Sequence, residues 1–207
     1  TTNPYFGGGS LNPFLNYEDK GAKVGKGDKG VIVLCRTSNP EAAEIQNRQV
    51  LLLDGELFGE KPLTGGREVP ANLLRSWRDF HAAVIPGGMW GVPLYQLVAM
   101  LVANQWNVNN NCALVVGATA PQELADVRSL VGDDISLLLP GVGFQQKGVP
   151  LDKQIEQTVR AGRNSRGRGF VINASRSVLY ASGGEDFAEA GRSEVIKMNE
   201  LVGQYRN

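Results

Sequence analysis

Short strand-like runs alternate with helix-like segments along most of the chain, and this alternation limits the fold more than any other feature. GVIVLCR (30–36) is apolar and β-branched, the pattern of a strand buried on both faces. CALVVGA (112–118), DISLLLPGVG (134–143) and RGFVINAS (168–175) have the same character. Helical spacing lies between them. In VPLYQLVAMLVANQW (92–106), Leu94, Leu97, Val98 and Leu101 recur at helical intervals. In TAPQELADVRSLVG (119–132), Pro121 stands in the first turn and Gly132 is the stop; Leu124, Val127, Leu130 and Val131 share a face. TSNPEAAEIQ (37–46) is a helix opened by Pro40, and PLDKQIEQTVRAG (150–162) one closed by Gly162. SRSVLY (175–180) reads as a single helical turn, and EDFAEAGRSEVIKMNELVGQY (185–205) as the last helix. Strands and helices joined by short links imply parallel strands with right-handed crossovers.

Two architectures share this grammar. An open doubly wound sheet carries its glycine-rich phosphate loop after the first strand. Here the glycine-rich strand ends come late, at PGVG (140–143) above all. A (β/α)8 barrel has eight units over about 250 residues. This chain of 207 residues shows four, with TTNPYFG as the tail of a fifth strand and SLNPFLNY (10–17) as its helix. The expected fold is α/β, a partial (β/α)8 TIM barrel forming a single domain over 1–207. Residues 47–91 interrupt the rhythm. LLLDGELF (51–58) reads as a hairpin, because Asp54-Gly55 suits a type I′ turn. One amphipathic helix is expected around Ala71–Ala83, and the segment is expected to pack outside the core as a lid or dimer surface.

Composition removes several function classes. The chain is 42% hydrophobic, enough for a real core, and its 21 basic residues balance 21 acidic ones. No net charge draws it to nucleic acid or an anionic membrane, and no apolar run approaches the roughly 20 residues of a span. Cys35 and Cys112 fall in strand-like runs, as small core residues of a reduced, cytoplasmic protein do. The sole histidine, His81, lies in the interrupting segment and is not taken as a catalytic base. There is no Cys/His metal cluster, nucleophile elbow or Walker loop.

Two late loops carry the strongest chemistry. In LLLPGVGFQQKG (137–148), glycines after a strand let backbone N–H groups approach an anion, and Gln145 and Gln146 add amide donors. The alternative is a flexible loop. In NASRSVLY (173–180), small residues lead to Arg176 at a short helix start, a combination suited to phosphate; the alternative is an ordinary surface arginine. Barrels often bind phosphate with their last two strand-end loops and a short extra helix, and these two loops stand in that order. Thr37 and Ser38 also lie at a strand's C-terminal end, although Ser38 or Asn39 there could simply cap a helix. Thr119 in VVGATAP (115–121) reads as a helix cap. The basic RAGRNSRGRG (160–169) falls in a helix-to-strand loop, lacks aromatics, and reads as a solvated loop.

Taken together, TTNPYFG, VLCRTSNP, VVGATAPQELADVR, LLLPGVGFQQKG and FVINASRSVLYAS resemble, in order, the longer bacterial type of orotidine 5′-phosphate decarboxylase. The resemblance covers 1–46 and 92–207. It implies a TIM barrel, working as a homodimer, that converts orotidine monophosphate to uridine monophosphate and CO₂ without metal or organic cofactor. Carried over by position, Gln145 reaches the phosphate and base, Arg176 holds the phosphate with backbone help near Ser175 and Gly143, Ser38 bonds the pyrimidine, and Pro140 shapes the base pocket.

The family's catalytic centre is an Asp-x-Lys-x-x-Asp motif after the third strand, with another Lys and Asp from the first two. Its Lys protonates the carbon that loses CO₂. The motif does not occur in these 207 residues; EDKGAK and GDKGV have the wrong spacing. The resemblance makes TTNPY the fourth strand, so strands one to three and the acid–base groups are expected upstream of Thr1. A barrel without them would leave two open sheet edges, so they are expected elsewhere in the protein or supplied by a partner. Two rival readings are another phosphate-binding barrel enzyme, such as a sugar-phosphate decarboxylase or synthase, and a non-catalytic binding protein on a degenerate barrel.

Overall fold

The computed structural model describes residues 1–16, 29–79, 89–143 and 145–206. After two 3₁₀ turns come a short α1 (Asn12–Leu15) and β1 (Val31–Arg36). A 3₁₀ turn at Pro40–Ala42 leads into α2 (Ala43–Gln46). Next are β2 (Gln49–Leu53), α3 (Asp54–Phe58), α4 (Ala71–Asp79) and β3 (Met89–Pro93). The alternation then resumes with α5 (Leu94–Leu101), β4 (Cys112–Val116), α6 (Pro121–Val131), β5 (Ser136–Pro140), α7 (Leu151–Gly162) and β6 (Phe170–Asn173). α8 (Arg176–Leu179) and α9 (Phe187–Tyr205) end the chain.

β1, β4, β5 and β6 form one parallel sheet in that order. Thr2 lies parallel to Val33 on the free side of β1, its N–H donating to Ile32 O and its carbonyl accepting from Leu34 N. Each strand thus sits beside the one before it, with no reversal of order. A doubly wound sheet reverses its order partway, so this sequence of neighbours is an arc of a barrel. α5, α6, α7 and α9 pack each on the next. α5 and α6 meet the sheet in one core, Val33, Leu114, Leu137 and Leu139 against Val98, Ala99, Leu124, Val127 and Val131, while Ile155 and Val159 of α7 and Met198 of α9 cluster with Ala118 and Val142. Gly132 stops α6 with φ +65° and an N–H bonded to Arg128 O. The long helix expected over 92–106 is shorter. Val92 and Pro93 belong to β3, and residues 102–106 form a wider π turn.

The hairpin expected at 51–58 does not form. Asp54 and Gly55 open α3 instead, and β2 pairs antiparallel with β3, Leu51 opposite Gly91. Local bonds explain the outcome. Glu56 Oε2 accepts the Leu53 N–H at 2.8 Å, Asp54 accepts from Trp90 Nε1, and both acids lie in the first helical turn, where they suit the helix dipole. Leu57 is then completely buried. The expected helix around Ala71–Ala83 is present from Ala71 to Asp79; its last residues and His81 lie outside the described ones, as does the end of the SLNPFLNY segment.

The described residues of the 47–91 segment form a cluster of their own, apart from the main core. Leu52, Leu57, Leu73 and Trp77 cluster on Met100 of α5 and Leu130 of α6. Trp77, fully buried, donates its indole N–H to Gln96 Oε1 at 2.5 Å. Gln96 in turn donates to Tyr95 Oη at 2.8 Å, and Tyr95 donates to Asp126 Oδ2 at 3.0 Å. Burial and the neighbouring Asp126 carboxylate push the Tyr95 phenol well above its usual value. Trp77→Ala would remove a buried ring and strand the Gln96 carbonyl. A loss of about 3–5 kcal/mol is expected in urea unfolding, and Trp77→Phe should lose about 1–3 kcal/mol through the orphaned acceptor alone.

Both cysteines are unpaired and buried. Cys112 pairs with Val31, four residues before Cys35 on the adjacent strand. Four residues of strand span about 13 Å, far beyond the reach of a disulfide. Burial raises both thiols, Cys112 to about 11. The basic 160–169 loop enters β6 at its N-terminal end. Asn164 Oδ1 accepts the N–H groups of Arg166 and Arg168 there, and Asp133 accepts the Ser165 N–H.

Candidate functional site

Loops at the C-terminal ends of four strands build one cleft. The first follows β1. Thr37 is anchored by Gln46, whose Oε1 accepts the Thr37 N–H at 2.8 Å and whose Nε2 donates to Thr37 Oγ1 at 3.2 Å. Ser38 comes next. Neither it nor Asn39 caps the following turn with a side chain, which leaves the Ser38 hydroxyl to the cleft. The second loop follows β4. Thr119 does not cap α6, whose N-cap is Ala120; its hydroxyl donates to Ser38 O at 3.2 Å. Gly117 backs Ser38 so closely that a Cβ would lie 2.7 Å from Ser38 Cα.

The third loop follows β5. Gly141 has φ +105°, and a Cβ on it would stand 2.8 Å from Gln145 Oε1 and 3.0 Å from Ser38 Cβ. Glycine here meets both a conformational and a steric demand. It lets the loop fold back so that Gln145 and Ser38 flank the same point. Gly143 also has positive φ, but its N–H donates to the buried Gln154 Oε1 at 2.6 Å. That donor is committed to Gln154, and Gly143 backs Ser177, where a Cβ would stand 3.1 Å from Ser177 Oγ. Gln154 further binds Gln146 O and Val149 O and so pins the whole loop. The two glutamines divide their roles: Gln146 donates to Ala118 O, while Gln145 faces the cleft.

β6 then leads through Ala174 and Ser175 into α8, whose first residue is Arg176. Arg176 and Gln145 line both a cleft of about 530 Å³ and an adjoining recess of about 160 Å³. The cleft also takes in Arg36, Ser38, Thr119 and Lys147. The recess takes in Pro140, Ser175 and Ser177, whose buried hydroxyl has no hydrogen-bond partner among the described residues. Ser38, Pro140, Gln145, Ser175 and Arg176 are thus brought together, with Gly143 against Ser177 and its N–H turned to Gln154. Sequence reasoning missed Arg36 and Lys147. Lys147 was legible as the cation beside two glutamines; Arg36 carried no such signal.

Among the described residues, the cleft's lining presents three cations and several neutral donors and no carboxylate, histidine or cysteine. It suits a dianion beside a polar ring, and lacks a carboxylate or imidazole for proton transfer. Among the described residues, no group of three or more His, Cys, Asp or Glu is placed to hold a metal ion, and no helix is long and apolar enough to cross a membrane. A separate hollow of about 620 Å³, bounded by Tyr5, Leu34, Ile45, Leu97 and Trp106, is mostly apolar and has no cation among the described residues that line it.

No family model matches the chain. Curated relatives do. The chain is 40% identical over 206 residues to a protein of Azoarcus sp. (strain BH72) named orotidine 5′-phosphate decarboxylase, covering all of this chain and 56% of that one. A namesake from Janthinobacterium sp. (strain Marseille) is 39% identical over 205 residues, covering 99% and 55%. The matched span runs through residues 47–91. Among solved structures, the Leishmania donovani OMP decarboxylase superposes with a TM-score of 0.59 at 27% identity, over 97% of this chain and 55% of that one. The Leishmania donovani UMP synthase gives 0.60 at 28%, over 97% and 32%. The chain spans a little over half the length of the curated relatives it matches. By sequence and by fold, this chain is similar to proteins named orotidine 5′-phosphate decarboxylase over 97% or more of its length, and spans a little over half of theirs.

Proposed function

We propose that this chain forms the substrate-holding part of an orotidine 5′-phosphate decarboxylase, which makes uridine monophosphate and CO₂ from orotidine monophosphate in pyrimidine nucleotide synthesis. One observation carries the reading. Ser38, Gln145 and Arg176, from loops after three different strands, converge on a single cationic cleft in a chain that matches proteins of that name throughout.

In this reading Arg176 pairs with the phosphate, Ser175 and Gln145 complete its donors, and Gln145 also reaches the base. Ser38 bonds the pyrimidine ring and Pro140 forms a wall. The phosphate is remote from the bond that breaks, so its binding energy serves to hold the base in place for reaction. The bond from the pyrimidine ring to the carboxylate breaks, CO₂ departs, and the electron pair left on the ring carbon takes a proton from a lysine ammonium. That lysine belongs to the Asp-x-Lys-x-x-Asp motif, which the 207 residues lack and the rest of the protein supplies. The enzyme works in the cytoplasm as a homodimer, with no metal or organic cofactor.

The test is twofold. The full-length protein should bind uridine monophosphate in calorimetric titration in preference to ribulose 5-phosphate, and should remove the absorbance of orotidine monophosphate. Preference for the sugar phosphate would indicate a different barrel enzyme. Uridine monophosphate binding without absorbance loss would indicate a binding protein.

A further inference from the structure

Arg36, the last residue of β1, is 6% exposed and lines the cleft beside Ser38. The pairing of β1 with β4 slips between Leu34 and Arg36, an irregularity of the kind that re-aims a side chain at a strand end. Arg36 Nη1 donates to Thr37 O at 2.8 Å. Nη2 lies 3.6 Å from Glu123 Oε1 in the first turn of α6, and Asn47 Nδ2 donates to the same oxygen at 3.3 Å. Nε is buried and has no hydrogen-bond partner among the described residues.

A guanidinium withdrawn from water with an unmatched N–H is costly to the fold. A purely structural ion pair would be better built with all its donors satisfied. What Arg36 touches points elsewhere. Its side chain grips the carbonyl of the residue before Ser38. Its own carbonyl accepts the N–H of Gly117, at 2.6 Å, and Gly117 is the residue that backs Ser38. Arg36 therefore ties the Ser38 turn to α6 and β4 at once.

We infer that Arg36 is a positioning residue for base recognition: it holds the Ser38 hydroxyl in register for the pyrimidine and leaves the phosphate half of the cleft to Arg176 and Gln145. The inference rests on the reading proposed above. Gln46 and Thr119 hold the same turn independently, so loss of Arg36 should loosen Ser38 without dissolving the loop.

The test compares two ligands on the full-length protein, uridine monophosphate and ribose 5-phosphate. Arg36→Met should weaken uridine monophosphate about tenfold, the worth of one good hydrogen bond, and leave ribose 5-phosphate unchanged. Ser38→Ala should do the same. The double variant should be no weaker than the worse single one, because both changes act through one hydroxyl. Arg36→Lys should fall between, since an ammonium cannot bridge Thr37 O and Glu123 as a planar fork does. If Arg36→Met does not fold, Arg36→Lys and Glu123→Gln read the same ratio of affinities, and both should lower it. Equal loss for both ligands, additive losses in the double variant, or an unchanged ratio would overturn the inference. A wild-type protein that fails to bind uridine monophosphate overturns the proposed function, and this inference with it. A wild-type protein that binds it, beside an Arg36 variant that binds it equally well, overturns only the inference.

Discussion

Arg176→Ala should weaken uridine monophosphate binding by about 10- to 100-fold, the range of one charge-assisted hydrogen-bonded contact. Arg176 opens α8, stands exposed, and lines both the cleft and its recess. A planar guanidinium there can meet two phosphate oxygens at once, which neither Gln145 nor a point-charge lysine can reproduce. The loss should be confined to the phosphate: uridine, which has none, should bind wild type and variant alike. Raising the salt should weaken the wild type more than the variant, because part of the removed interaction is screened. Titrations of both ligands at two ionic strengths check this. Undiminished affinity for uridine monophosphate would remove Arg176 from the site.

Arg128→Met should unfold the protein early. Arg128 is 8% exposed and donates to four carbonyls around it. Nε bonds Gly162 O at 2.9 Å, Nη1 bonds Gly132 O at 2.7 Å and Ile135 O at 2.8 Å, and Nη2 bonds Gly169 O at 2.7 Å. These carbonyls belong to the end of α7, the residue after α6, and the entries to β5 and β6. Burial lowers the guanidinium to about 10 against the opposing pull of Asp133, so it remains charged at neutral pH. Methionine can fill the stem but supplies no donor. Stranded buried acceptors cost about 1–3 kcal/mol each, and water will reach some of the four, so about 3–5 kcal/mol is expected. For a chain of this size that lowers the melting midpoint by about 6–20 °C. Below the transition, uridine monophosphate should still bind, because this bolt lies at the N-terminal strand ends and the cleft at the other. A midpoint shift of only a degree or two would show that water replaces the arginine.

The parallel arc was legible because its signals are local. LVV and the helical stripe Leu124, Val127, Leu130 and Val131 bury the faces that their spacing predicts, whereas VIVLC, expected to be buried on both faces, buries Val31, Val33 and Cys35 and leaves Ile32 and Leu34 half-buried. The pairing within 47–91 was not. Asp54-Gly55 satisfies a hairpin turn and a helix start equally well, and the choice fell to Glu56, Trp90 and the burial of Leu57. The true partner of β2 lies in β3, much further along the chain, and short-range chemistry does not announce so distant a pairing.

The site divides the same way. Glycine at 141 and 143, a glutamine beside them and an arginine opening a short turn are chemical identities, and the order of the chain alone placed them in the last two loops of a barrel. The tertiary structure decided what each is free to do. It turned Gln145 inward and Gln146 to Ala118 O, committed the Gly143 N–H to Gln154, and set Thr119 on the Ser38 carbonyl when it might have served as a helix cap. It also buried Arg36 where a strand end would usually place a solvated arginine. A hydrogen-bonding group can serve only a few partners, and the partners competing for it come from loops far apart in sequence. Their competition is settled only when the strands lie side by side.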